Sequence, residues 1–263
     1  MRYGLSLPNM GRVERLVDIA VQAERNGWDG VFLWDHIHFF REMRLDVHDP
    51  WVVLGAIAQV TTRVRLGPMV TPLARRRPHE FAKEVVTLDH LSGGRVVVGV
   101  GLGFPPDDEF AAFGEPAGAR ERADRLDEAL DVVTALWGGG PVAHEGAHYS
   151  IDAELRPVPV QRPRPPIWVA AMWPNRRPIA RAARYEGVVP LGEDGEPAPP
   201  EVIRQVADLV GPGRDVVAAW LEGHTAAEYE AAGATWLTES RWPVGDWQDE
   251  LAALASAAPN DRT

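Results

Sequence analysis

Gly30-Val31-Phe32-Leu33-Trp34-Asp35-His36 is the stretch whose reading decides the fold. Four apolar residues, Val31 to Trp34, run straight into an acid and an imidazole. A strand buried on both faces of a parallel sheet reads as a continuous apolar run, not as an alternating one. Titratable groups at the end of such a strand lie on the face where parallel barrels keep their chemistry. The preceding segment, Arg12–Asn26, has Val13, Leu16, Val17, Ala20 and Ala23 at helical spacing and stops at Gly27. One segment thus proposes a fold, a catalytic face and two candidate residues, Asp35 and His36.

Working outward, the same strand-then-helix alternation recurs. Strand patterns fall at Tyr3–Leu7, Asp29–Trp34, Arg63–Leu66, Val96–Val100, Ile167–Ala170, Gly187–Pro190, Val216–Leu221 and Ala234–Leu237. Helical patterns follow them at Arg12–Asn26, Pro50–Val60, Pro78–His90, Arg120–Trp137, Pro178–Tyr185, Pro199–Val210, Ala226–Ala232 and Trp247–Ala257. Eight such units over residues 1–263 predict an α/β fold, a single (β/α)8 TIM barrel of one domain. The pattern breaks at Gly138–Ile151, which reads as a small hairpin inserted before strand five. Pro-rich Arg156–Pro166 reads as an extended connector, and Pro259–Thr263 as a frayed end.

Composition narrows the function classes. The 263 residues carry a net charge of −11, which disfavours nucleic acid as a partner. No apolar run is long enough to cross a membrane, and no signal-peptide core follows Met1, so a cytoplasmic location is expected. There are no cysteines, which removes disulfides and thiolate metal sites. Two arginine clusters stand out against the acidic background: Arg75–Arg77, and Arg176, Arg177, Arg181 and Arg184. Each reads either as a local anion site or as solvated surface charge.

The barrel rule directs attention to the loops after strands two to five. In the first, His36 is a candidate general acid or base, the alternative being a hydrogen-bonded structural histidine. His36-x-His38 also has metal-ligand spacing, which keeps a metal-dependent barrel hydrolase as an alternative. In the second, Gly67-Pro68-Met69-Val70-Thr71 suggests a bulge. In the third, Gly99, Gly101 and Gly103 alternate. Pro105-Pro106 are expected to block a helix there, so this is no dinucleotide fingerprint. The glycines admit either a flat ring near the backbone or tight packing inside the barrel. In the fourth, Ala171-Met172-Trp173-Pro174-Asn175-Arg176-Arg177 leads into a helix N-terminus and suits a phosphate.

At these residues the chain resembles the luciferase-like flavin-dependent oxidoreductases, the family of bacterial luciferase and the coenzyme F420 dehydrogenases and reductases. The resemblance covers Met1 to about Pro190 and rests on YGLSLP, GWDGVFLWDH, RLGPMVTPLARRRP, LDHLSGGRVVVGVGLG, ERADRLDEALDVVTALW and PVQRPRPPIWVA. It implies FMN or F420 across the barrel mouth, with a non-prolyl cis peptide at Met69–Val70 behind the ring. It implies Thr71, Gly103 and Asp107 near the cofactor, and Ala171, Met172, Arg176 and Arg177 at its phosphate. Asp35 and His36 match an Asp-His pair near the reactive ring edge. Trp34, His38, Phe39, Phe40, Phe104 and Trp173 are expected to wall a pocket for a small, apolar or aromatic substrate. Phe104 stands where sugar-phosphate dehydrogenases of the family carry a glutamate, so sugar-phosphate oxidation is not expected. With FMN, a separate flavin reductase is the expected partner. With F420, Arg75–Arg77 lie where an acidic tail would reach. The resemblance also implies a homodimer as one option, since relatives often pair through the helices near strands two and three. A flavin-binding barrel without turnover is the remaining alternative.

Overall fold

A computed structural model of the chain describes residues 1–259. The elements run β1 (Arg2–Leu7), α1 (Val13–Arg25), β2 (Gly30–Leu33), α2 (Pro50–Val60), β3 (Arg65–Pro68), β4 (Thr71–Pro72), α3 (Pro78–Ser92), β5 (Val98–Gly101), α4 (Pro106–Glu109) and α5 (Ala119–Gly138). They continue as β6 (Pro141–Glu145), β7 (Ser150–Glu154), β8 (Ile167–Met172), α6 (Arg176–Ala182), β9 (Gly187–Leu191), α7 (Pro200–Val210), β10 (Asp215–Ala219), α8 (Ala226–Ala231), β11 (Trp236–Glu239) and α9 (Trp247–Ala255).

Nine segments form one parallel sheet in the order β3-β2-β1-β11-β10-β9-β8-β5-β4. The two ends of that order meet. Val97 N–H donates to Leu66 O at 2.9 Å and Leu66 N–H to Arg95 O at 3.2 Å, so the sheet is a nearly closed barrel. β3 and β4 occupy one strand position, interrupted at Met69–Val70, whose peptide bond is cis. Outside the barrel, β6 and β7 form an antiparallel hairpin in register Pro141↔Glu154 to Glu145↔Ser150.

Alternation along the strands separates two cores. Leu5, Leu7, Val31, Leu33, Val98 and Val100 face the helices. Phe32, Val97, Trp168, Val189, Val217 and Trp236 fill the barrel axis. The rings of Phe32, Trp168 and Trp236 pack at centroid distances of 5.3–5.8 Å. Three such rings fit because their neighbours are small. A Cβ on Gly187 would lie 2.4 Å from Trp168 Cδ1, and one on Gly30 2.7 Å from Phe32 Cε2. The barrel is therefore plugged, and Met69 and Val70 rest on the plug.

The helix layer is tied down by charged side chains on backbone groups. Arg95 donates to Ala58 O, Thr61 O, Val64 O and Ser92 O, the free carbonyls around the C-terminal ends of α2 and α3. Glu24 accepts from the N–H groups of Thr62, Arg63 and Val64. Asp49 caps α2 by accepting from Val52 N–H, with Pro50 in the first turn.

Several expectations change, among them the following. Pro105-Pro106 do not block a helix; they open α4, because Pro106 takes the first helical position, where its missing N–H costs nothing. α6 starts at Arg176, two residues before Pro178. β11 runs to Glu239, beyond Leu237. Of the expected frayed end Pro259–Thr263, everything after Pro259 lies outside the described residues. No described helix is long and apolar enough to cross a membrane.

Candidate active site at the barrel mouth

Strand alternation sorts the two lead residues. Leu33 faces the helices, and Asp35, two residues on, continues that row. Asp35 is 4% exposed. Its carboxylate accepts from Arg75 at 2.9 Å, from Arg76 at 2.9 Å and from the Thr71 hydroxyl. Arg75 also donates to the Asp35 carbonyl at 2.9 Å. Asp35 is thus a buried counter-charge and presents no free oxygen to the mouth. The same bonds remove Thr71 as a ligand contact, since that residue is fully buried with its hydroxyl spent on Asp35.

His36 belongs to the other row. Its ring lies 5.8 Å from that of Trp34 and 4.7 Å from that of Phe39. Nδ1 is buried and lies 3.5 Å from Glu109 Oε1. Nε2, at the opposite edge, has no hydrogen-bond partner among the described residues, and the imidazole is 18% exposed.

Glu109 is a residue that sequence reasoning missed. It sits at the end of α4, 1% exposed. It accepts from three successive backbone N–H groups, Ile37 at 3.0 Å, His38 at 3.0 Å and Phe39 at 2.6 Å. It also pairs with Arg75 at 2.5 Å. Convergent N–H groups of this kind form an anion-binding nest. Phe39, at φ 60°, has left-handed backbone directly after these three N–H groups. Burial pushes the Glu109 carboxyl up, but His36, Arg75 and the Ile37 N–H outweigh it and hold the pKa at about 2. Asp108 adds an outer tie, accepting from Arg41 N–H at 3.2 Å.

Four of the residues expected to wall a pocket lie in one chain of ring contacts. Trp34, Phe39 and Phe40 adjoin one another, and Phe104, 53% exposed, lies 6.0 Å from Phe40. Trp242 joins this wall unforeseen, at 5.1 Å from Phe39 and 6.1 Å from Trp34. It follows the last strand in Arg241-Trp242-Pro243, a segment with no periodic signal. His38 is not part of the wall; its ring faces Phe113 at 4.8 Å. Trp173 stands across the mouth under the Arg176 guanidinium, 5.1 Å from the ring centre.

The floor is apolar and includes two alanines. Met69, Val70, Ala170 and Ala219 are half-buried at the C-terminal strand ends. Gly99 and Gly101 make room for the bulge: a Cβ on Gly99 would lie 2.4 Å from Pro68 O, and one on Gly101 2.7 Å from Val70 Cγ2. Of their two readings, packing is the one observed. Gly103 has φ +81°, and a Cβ there would meet Phe110 and Pro72 at 2.8 Å. Asp107 is exposed near this turn.

The loop read as suiting a phosphate differs from the expectation. Ala171 faces the helices and offers only backbone. Met172 is half-buried, with its carbonyl accepting from Asn175 N–H at 3.0 Å. Arg177 donates to Asp124 and Asp127 at 2.7 Å, and these bonds push its pKa up. Arg176 has no carboxylate partner among the described residues. Arg75 and Arg76 are also turned inward onto Asp35, Glu109 and Glu84, so only Arg77 of that cluster is exposed for an acidic tail. Among the described residues no three His, Asp or Glu side chains form a metal-ligand set.

A family model described as luciferase-like monooxygenase matches residues 1–234. The chain belongs to the luciferase-like monooxygenase family. Among its relatives is an F420-dependent glucose-6-phosphate dehydrogenase of Microbacterium testaceum, 35% identical over 191 residues, or 69% of this chain and 54% of that one. The chain therefore spans about half the length of that curated relative. The coenzyme F420-dependent tetrahydromethanopterin reductase of Methanopyrus kandleri superposes with TM-score 0.76 at 18% identity, covering 98% of this chain and 97% of that one. The oxygenating constituent of 3,6-diketocamphane monooxygenase from Pseudomonas putida, in complex with FMN, gives TM-score 0.67 at 19% identity, covering 89% and 64%. These two likenesses bear on the fold.

Proposed function

We propose that this chain is an oxidoreductase using coenzyme F420 or FMN, with F420 the favoured cofactor, acting on a small apolar or aromatic substrate. One observation carries the reading. In a barrel that is otherwise plugged, the mouth keeps a half-open floor of Met69, Val70, Ala170 and Ala219 between an imidazole edge and an aromatic wall. Ala170 and Ala219 suit a flat ring, because a larger side chain there would fill the space it needs. The F420-dependent relative, at 35% identity, supports F420 over FMN.

The backbone at Ala171 and Met172 and the Arg176 guanidinium would hold the cofactor phosphate. When bound, the cofactor supplies hydride transfer, or in the FMN case oxygen chemistry. The chain supplies orientation and a proton route. Trp34, Phe40, Phe104 and Trp242 exclude water beside the floor, and His36 Nε2 takes or gives the proton. Phe104 offers no acid and no hydrogen bond, which separates this mouth from one built for a sugar phosphate.

Paired titrations with FMN and F420, oxidised and reduced, test the reading. Tighter binding of F420 is expected, followed by turnover of secondary alcohols, ketones or activated alkenes and none of glucose 6-phosphate. His36→Gln is expected to keep cofactor affinity and to lower kcat by about 10²–10⁴-fold. Tighter binding of reduced FMN, with oxygen consumption, would instead make it a monooxygenase served by a separate reductase. Binding of neither cofactor would overturn the proposal.

A further inference from the structure

We propose that Glu109, and not the adjacent Asp35, is the positioning residue for His36, holding the proton on Nδ1 and so presenting an unprotonated Nε2 to the mouth. This rests on the reading of His36 as the proton-transfer group. The argument is one of geometry. Asp35 is next to His36 in the chain, yet its oxygens are taken by Arg75, Arg76 and Thr71. Glu109 is 73 positions away and its Oε1 lies 3.5 Å from Nδ1, at ion-pair distance but without a formed hydrogen bond, with both atoms out of solvent. Whichever ring nitrogen carries the proton is set by what the other one meets. A carboxylate beside Nδ1 favours the proton there and leaves the lone pair on Nε2.

When Nε2 accepts a proton from a substrate hydroxyl, the imidazolium formed carries its charge against Glu109. The Glu109 carboxylate is available in ionised form, because Arg75 and the N–H groups of Ile37, His38 and Phe39 stabilise its negative charge. The charged groups around the pair are Arg75, which bridges to Asp35, then Arg76 behind Asp35, and Asp108 with Arg41 on the outer side. The nest and the imidazole are thus held by one carboxylate: folding the loop also sets the tautomer.

The competing role is purely structural. Glu24 and Asp89 staple loops through backbone N–H groups with no histidine ion pair among the described residues. The measurement must therefore report on the imidazole itself. In ¹⁵N-histidine-labelled protein, the His36 signal is the one lost in His36→Gln. Wild-type protein is expected to show Nδ1 protonated and Nε2 bare in the neutral ring. Glu109→Ala is expected to lose that preference, and added formate, filling the emptied nest, to restore it. Glu109→Gln keeps an oxygen but no charge; it is expected to hold the tautomer, keep KM within about twofold and lower kcat by about tenfold or more. An unchanged tautomer in folded Glu109→Ala would overturn the proposal, and so would full kcat in Glu109→Gln, which decides the matter if the alanine variant does not fold. The tautomer measurement needs no cofactor, so failure of the proposed function would appear separately, as absent cofactor binding.

Discussion

Arg75→Met is expected to cost roughly 3 kcal/mol or more of folding stability, the largest loss among the ion pairs of this chain. Arg75 touches two carboxylates that are almost fully out of water, Asp35 at 2.9 Å and Glu109 at 2.5 Å, with side chains 2% and 1% exposed. Removing one partner of a buried pair leaves a charge with neither water nor counter-ion, and that penalty exceeds the net value of the pair itself. Asp35 keeps Arg76 and Thr71, and Glu109 keeps its nest and His36, so the site weakens without vanishing. Urea unfolding with an unchanged m-value measures the loss. Arg184→Met is the control: Arg184 and Asp131 are both about half exposed, and such pairs contribute ~0–1 kcal/mol. Equal losses in the two variants would refute the argument.

The same network sets an acid limit. The Glu109 carboxyl moves from the ordinary 4.5 to about 2 on folding. A lowered folded-state pKa means that the unfolded chain binds the proton more readily. Its stabilisation is therefore complete above about pH 4.5, falls as pH drops through that window, and is gone below about pH 2, amounting to roughly 3 kcal/mol. In Arg75→Met the folded-state pKa rises toward the ordinary value, so the Glu109 contribution shrinks, and the less stable variant is expected to unfold at higher pH. Acid titration of both proteins followed by near-UV circular dichroism checks this; coincident curves would contradict it.

The strands were legible because burial on both faces leaves an unbroken apolar run, as in Val31–Trp34 and Val97–Val100. The role of Asp35 was legible in principle. Two residues beyond Leu33 it shares the outward row, and outward at a strand end means toward the helices. Adjacency to His36 suggested a pair where the pleat places the two side chains on opposite faces. Glu109 was not legible. Its partners are backbone N–H groups about 70 positions away, and such groups leave no mark on side-chain patterning. The one available signal was three acids after a Pro-Pro pair, a helix first turn read as a break. Arg177 was misjudged for a related reason: a helix N-terminus with arginines suits a phosphate, but Asp124 and Asp127 on the neighbouring α5 reach the guanidinium first. Trp242 lies in an irregular segment, where only the closed barrel brings it to Phe39.

Gly67→Ala is expected to prevent folding or to cost more than about 4 kcal/mol, although it adds a single methyl group. A Cβ at Gly67 would sit 1.7 Å from Val97 O and 2.9 Å from Val97 C. Both are backbone atoms of the facing strand, so no rotamer change relieves the contact. The two chains must part, and they do so where the barrel closes. The bonds lost first are Val97 N–H to Leu66 O and Leu66 N–H to Arg95 O. Arg95 is the residue that ties the ends of α2 and α3, so strain at the seam reaches the helix layer. It also reaches the mouth, because Pro68–Val70 continue directly from Gly67 and form the floor. Gly55→Ala separates this cause from glycine replacement in general. Gly55 lies inside α2 with nothing within 4 Å of its added Cβ, and alanine there is expected to gain about 0.5–1 kcal/mol. Soluble yield and thermal midpoint of the two variants give the comparison. If Gly67→Ala folds with a midpoint near that of the parent, the strands at the seam are not in the close contact that carries the bulge into the mouth.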